Sequence, residues 1–241
     1  MCTVTIIPKE HNSFILTSNR DEAPDRVSLS PDFYAVDGVK VLFPKDELSG
    51  GTWIGVSEKN RLICVLNGGF IAHTRKLNYR KSRGIVAKDL MIADDVLKTI
   101  KSYDFSDIEP FTIVLADWNA TLKFFELVWD GSEKHLTELP LEPRIWSSST
   151  LYDETMKTER AKWFQLFKEK NELNGSAMLS FHKGAGEYNL DYGVVMDRGY
   201  VKTTSITQVE KTGSSVHMAY ENLQDGVVAN QTFNLPQIVN E

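Results

Sequence analysis

Strand-like runs come in pairs in this chain, and that pairing restricts the fold more than any other feature. Thr3 to Ile7 and Phe14 to Ser18 are β-branched or apolar runs on either side of the polar stretch Pro8-Lys9-Glu10-His11-Asn12. Thr52 to Val56 and Leu62 to Asn67 flank Ser57-Glu58-Lys59-Asn60-Arg61 in the same way, and Phe111 to Ala116 and Leu122 to Val128 flank Asp117-Trp118-Asn119-Ala120. The second pair is apolar on both faces, the pattern of a sheet covered on two sides. Val194 to Met196, Val201 to Val209 and Val216 to Tyr220 return to strand character late in the chain. Residues 23–50, punctuated by Pro24, Pro31 and Pro44, read as loop with short strands.

Between the strand pairs lie helical patterns. Val86, Leu90, Ala93, Leu97 and Ile100 repeat at spacings of three and four, which predicts one amphipathic helix. Met156, Arg160, Trp163, Phe164 and Phe167 predict a second helix, closing near Asn174-Gly175, and a short third helix is expected over Ser176 to Lys183. Hairpins, rather than single strands alternating with helices, argue against a parallel doubly wound sheet. They favour an α+β fold of antiparallel sheets with helices packed on them. With 241 residues, 41% apolar and 25% charged, one core is feasible, and a single domain over residues 1–241 is expected.

Composition removes several function classes. The net charge is −6 with no long basic run, a poor footprint for nucleic acid. No apolar stretch approaches the roughly 20 residues of a membrane-spanning helix, and MCTVTIIPKE lacks the character of a secretory signal. Cys2 and Cys64 are too few for a disulfide framework. The expectation is a soluble, cytoplasmic protein. His11, His73, His135, His182 and His217 lack metal-ligand spacing, Gly184-Ala185-Gly186 lacks the pattern of a dinucleotide site, and neither a metal nor a cofactor is expected. The aromatics at Trp163, Phe164 and Phe167 read as core. Arg75, Lys76, Arg80, Lys81 and Arg83 form the one basic cluster, a solvated loop or the rim of a site for an anionic substrate.

Cys2 is the most informative residue. Loss of the initiator methionine puts a thiol and a free α-amine on one residue. That amine has a pKa of about 7.7–8.0, and it can take the proton of a thiol that is otherwise only a few per cent ionised near neutrality. The alternative is a small residue at a strand start. If Ile7 pairs with Phe14, antiparallel numbers sum to about 21, so Cys2 lies across from Asn19, with Arg20, Asp21 and Glu22 just past it. A carboxylate there can orient the ammonium, and an arginine can lower the thiol pKa. Asn67 ends a strand before Gly68-Gly69. It is a donor to a developing oxyanion or, equally, a turn asparagine.

MCTVTII, Asn19-Arg20-Asp21-Glu22, Gly50-Gly51-Thr52-Trp53-Ile54-Gly55, Leu66-Asn67 and Tyr200-Val201-Lys202-Thr203-Thr204-Ser205 together resemble the NRDE family, relatives of the Transport and Golgi organisation protein 2. That family is similar in turn to N-terminal nucleophile (Ntn) hydrolases of the choloylglycine and penicillin acylase type. The resemblance implies a four-layer αββα sandwich with Cys2 as nucleophile, Asp21 at the α-amine and Asn67 in the oxyanion hole. Substrate contacts are expected at Asn19 and Arg20 beside the chain start, at Gly68 after Asn67, and at Ser148 and Lys202 as weaker matches to the family. Ser148 stands where the relatives carry a second asparagine, and Lys202 stands where they carry a late arginine. In bile-salt hydrolases an arginine precedes the aspartate by three positions, whereas Arg20 adjoins Asp21. The implied activity is hydrolysis of a non-peptide carbon–nitrogen amide bond in a small acylated substrate. The alternative is a non-catalytic carrier of a hydrophobic ligand, haem or a lipid acyl chain, and a homodimer is the base-rate expectation for assembly.

Overall fold

The computed structural model describes residues 3–235. Among the described residues the strands β1 (Thr3–Lys9), β2 (Ser13–Glu22), β3 (Ser28–Val36), β4 (Val39–Asp46), β5 (Ile54–Ser57) and β6 (Arg61–Asn67) come first. Helices α1 (Arg83–Ile92) and α2 (Val96–Ser102) lead into β7 (Phe111–Asp117), β8 (Lys123–Trp129), β9 (Lys134–Leu139) and β10 (Arg144–Ser147). Then come α3 (Glu154–Lys170), α4 (Gly175–Gly184), β11 (Lys202–Thr212), β12 (Ser215–Asn222) and β13 (Val228–Asn234). They form two antiparallel sheets, one ordered β10-β1-β2-β11-β12-β13 and the other running from β3 to β9 in chain order.

Side-chain alternation along the strands builds the layers. Val4, Ile6 and Leu16 point between the sheets and meet Ile54, Leu62 and Val114 of the second sheet. Ile7 and Ile15 point the other way, onto Phe164 of α3 and Met178 and Phe181 of α4. Ile63 and Val65 cover the outer face of the second sheet, where Val86 and Leu90 of α1 and Ile100 of α2 pack. The result is the expected four-layer αββα sandwich. At the seam, Trp146 of β10 donates its indole N–H to Glu126 of β8 at 2.6 Å, joining one sheet to the other.

Several local expectations are corrected. The β1–β2 numbers sum to 22, so Ile7 faces Ile15 and Thr3 faces Asn19. The cause is a three-residue loop at residues 10–12, with positive φ at His11 and Asn12, which shifts the pairing by one. Residues 23–50 are mostly the long hairpin β3–β4. Asp37 and Gly38, both at positive φ, make its two-residue turn, and Pro31 falls at an irregularity between Leu29 and Asp32 on the edge strand, where no ladder N–H is needed.

The helix expected over residues 86–100 is two helices. Ala93 leaves helical geometry with ψ 137°, and Asp95 restarts the chain by accepting the N–H of Lys98 at 3.0 Å. The second helix ends at Lys170, and Asn174 caps α4. Val194 to Met196 is loop, while β9, β10 and β13 carry no apolar run strong enough to mark them.

Candidate functional site

The end of β2 carries Asn19, Arg20, Asp21 and Glu22, and alternation divides their roles. Asn19 and Asp21 face the helical layer that covers this sheet. The Asn19 amide is fully occupied: Nδ2 donates to the carbonyls of His182 (2.9 Å) and Val194 (2.6 Å), and Oδ1 meets His182 Nδ1. Because Asn19 Oδ1 only accepts, the His182 proton sits on Nδ1, leaving Nε2 to accept from the Thr5 hydroxyl at 2.8 Å. Burial, reinforced by the positive charge of Arg160, pushes the His182 imidazole down to about 3.

Asp21 is buried between β11 and the connection that leads into α3. Its Oδ2 accepts from Tyr152 Oη and its Oδ1 from Thr203 Oγ1, each at 2.7 Å. Burial, and then the neighbouring Asp21 charge, hold the Tyr152 phenol well above its usual range. The Arg160 guanidinium lies over the Tyr152 ring, 3.6 Å from its centroid. Arg160 also donates to Thr3 Oγ1 and to the carbonyls of Tyr192 (2.9 Å) and Gly193 (2.6 Å). The start of β1 is thereby fixed beside Asp21. Cys2 lies outside the described residues.

Arg20 points to the inner face. Its Nη2 is 2.7 Å from Asp46 Oδ2, and its guanidinium carbon is 4.7 Å from the Trp53 ring centroid. Both side chains wall a cavity of about 250 Å³, together with Glu22, Arg26, Asp46, Arg83 and Glu109. Burial alone would raise the Asp46 carboxyl, but hydrogen bonds from Arg26 and Ser49 outweigh it and hold the group below its usual value. The basic cluster is divided: Arg75, Lys81 and Arg83 line this cavity, whereas Lys76 and Arg80 pair with Asp107 and Asp104.

Asn67 closes β6 in the opposite sheet. Its backbone carbonyl accepts from Ser148 Oγ at 2.7 Å, so the residues after β10 are latched to the end of β6. Asn67 Oδ1 is buried without a partner among the described residues. Gly68 has φ +85°, and a Cβ there would come within 2.3 Å of Ser149 Oγ, so glycine is required. Lys202 opens β11 across from Glu22 and is half-buried.

Asn67, Gly68 and Ser148 thus form one group, and Asp21 with Tyr152 and Thr203 another. Arg20 belongs to the cavity, while Asn19 is taken up by His182. Sequence reasoning overlooked Tyr152, Thr203 and Trp53 as site neighbours. The available signals were Trp53 and Thr203, which stand inside the motifs that carry the resemblance, and Arg160, a charged residue in an otherwise apolar helical stripe. Among the described residues no three His, Cys, Asp or Glu side chains are grouped to hold a metal ion, and no helix is long and apolar enough to cross a membrane.

The family model described as Transport and Golgi organisation 2 matches residues 1–183. The chain belongs to that family. No curated protein matches it in sequence. The fold of this chain is similar to that of penicillin V acylase from Agrobacterium tumefaciens, with TM-score 0.55 and 10% identity over 94% of this chain and 84% of that one. It is similar to a variant of conjugated bile acid hydrolase from Clostridium perfringens, with TM-score 0.54 and 12% identity over 99% and 100%. A third likeness is to the Caenorhabditis elegans ortholog of N-acylethanolamine-hydrolyzing acid amidase, with TM-score 0.58 and 11% identity over 86% and 92%. All three share the Ntn-hydrolase fold with this member of the Transport and Golgi organisation 2 family.

Proposed function

We propose that this protein is an N-terminal-cysteine amidohydrolase acting on a small acylated amide. The observation that carries the reading is the buried Asp21 carboxylate, oriented by Tyr152 and Thr203 and adjacent to the start of β1. The hydrolases of similar fold support it as neighbours, two of them named for amide-bearing compounds or amidase activity.

In this mechanism, removal of Met1 frees the Cys2 amine. The amine takes the thiol proton as sulfur attacks the substrate carbonyl carbon, and Asp21 holds the resulting ammonium. The Asn67 amide N–H and nearby backbone N–H groups stabilise the oxyanion. Collapse breaks the carbon–nitrogen bond, and the ammonium returns its proton to the departing amine. Water, deprotonated by the same amine, then attacks the thioester carbonyl, releasing the carboxylate and restoring the thiol.

The test is turnover of a panel of N-acyl amides after intact mass has established loss of Met1. Cys2→Ala is expected to fall to background, and Asn67→Ala to lose about 10²–10³ in kcat. Equal turnover by wild type and Cys2→Ala overturns the reading. Ligand binding without turnover by the mature protein would instead favour a carrier on the same fold.

A further inference from the structure

We propose that Arg160 is a positioning residue for the amide hydrolysis proposed above, on which this inference rests. Its buried charge keeps the Cys2 amine in the unprotonated form that can take up the thiol proton. Arg160 is fully buried in α3 but pairs with no carboxylate among the described residues. Its N–H groups go to neutral oxygens instead: Thr3 Oγ1, Ser147 Oγ at 3.3 Å, and the carbonyls of Tyr192 and Gly193 at 2.9 and 2.6 Å. Those bonds satisfy the donors and leave the charge unmatched. Asp21 mirrors it, a buried carboxylate that among the described residues accepts only from the hydroxyls of Tyr152 and Thr203. The two meet across one ring. The Arg160 guanidinium carbon is 3.6 Å from the Tyr152 centroid, and the Tyr152 hydroxyl is 2.7 Å from Asp21.

The groups around them leave that balance as it is. Burial, and then the Arg160 charge itself, hold His182 of α4 to about 3, so it is neutral near neutrality. The Tyr152 phenol, raised by burial and then by Asp21, keeps its proton. Arg198, 5.6 Å from the same ring, is paired with Asp191 at 2.9 Å, and Lys202 faces Glu22 in the β2–β11 ladder. Glu159, half-buried, accepts from Tyr192 Oη at 2.7 Å, and Arg20 lies on the other face with Asp46. One negative and one positive charge thus remain buried beside the start of β1. An unprotonated amine there leaves the pair neutral, whereas an ammonium makes the group cationic. Asp21 alone would raise the amine, and Arg160 opposes it. One peptide bond joins Cys2 to Thr3, with their Cα atoms about 3.8 Å apart. The bond to Thr3 Oγ1 therefore holds the guanidinium near the chain start. At an effective dielectric of about 20, a charge within about 8 Å moves the amine by roughly one pH unit.

The test follows kcat/KM against pH with an N-acyl amide, using the full chain after loss of Met1. The acid limb of that profile reports the base of the free enzyme. Arg160→Gln is expected to move its midpoint up by about one pH unit. Arg160→Lys, which keeps the charge but not the planar fork, should leave the midpoint in place while kcat falls several-fold. A purely structural role would lower kcat in both variants and move neither midpoint. Where Arg160→Gln fails to fold, Cys2→Ser supplies the readout, because its amine titrates without a neighbouring thiol. After labelling with [3-13C]serine, its reporter is the one signal that wild type lacks. That amine should titrate at or below the ordinary range of about 7.7–8.0 in spite of Asp21. A midpoint above that range, or an unmoved acid limb in folded Arg160→Gln, overturns the proposal. Turnover with an unmoved acid limb sinks this inference alone. Absence of turnover, with the Cys2→Ser amine at or below its ordinary range, sinks the hydrolase reading and leaves the charge balance standing.

Discussion

Buried beneath α4 with Thr5 and Asn19 as partners, the His182 imidazole titrates at about 3, whereas an unfolded histidine titrates near 6.5. Below about 6.5 the unfolded chain therefore takes up a proton that the folded chain refuses. The stability from this group is whole above that pH and drains away as pH falls toward 3. Between pH 7 and pH 5 the wild type should lose about 2 kcal/mol more than His182→Gln in urea unfolding, and equal losses would mean the folded imidazole is charged. A neighbouring test removes the Tyr152 hydroxyl. Tyr152→Phe leaves Asp21 Oδ2 without its donor and should cost about 1–3 kcal/mol, read as a lowered urea midpoint. Asp21 and Asn67 could be singled out from local sequence, since each follows a strand run. Tyr152 and Thr203 could not, because they arrive from 131 and 182 residues away and only three-dimensional closure brings them to the carboxylate.

At the scale of elements, α1 approaches the seven-stranded sheet through glycine. A Cβ on Gly84 would sit 2.9 Å from both the nitrogen and the oxygen of Thr52. Alanine normally improves a helix by about 1 kcal/mol over glycine, but here the backbone contact should reverse the sign. Gly84→Ala is expected to be destabilising by about 1–3 kcal/mol in thermal or urea unfolding, and a stabilised variant would refute the close packing. The strand pairs with apolar runs and polar turns were legible because both faces of each are covered. The β3–β4 hairpin was obscured by Pro31 and Pro44 within its strands, although Asp37-Gly38 between Val36 and Val39 is a strong turn signal. The division of α1 from α2 was hidden because the apolar spacing runs on through Ala93 while Asp95 caps a new start. Spacing records which face is buried, not where the backbone breaks.

For the whole molecule, the layer between the sheets draws side chains from Val4 to Leu235, so neither sheet keeps its inner face dry without the other. We expect residues 1–241 to behave as one domain, with far-ultraviolet circular dichroism and tryptophan fluorescence giving the same urea midpoint; two midpoints would divide it. The order of layers was readable from strand pairing and the family resemblance, but the charged cavity was not, because its members come from β2, β4, α1 and the connections between them. The Trp146–Glu126 bond has a use of its own. Any slippage of one half of the sandwich along the other must stretch that contact, so the tryptophan is a native optical strain gauge. In a variant that keeps Trp146 alone of the five tryptophans, a change in its emission would report that shear without an added dye.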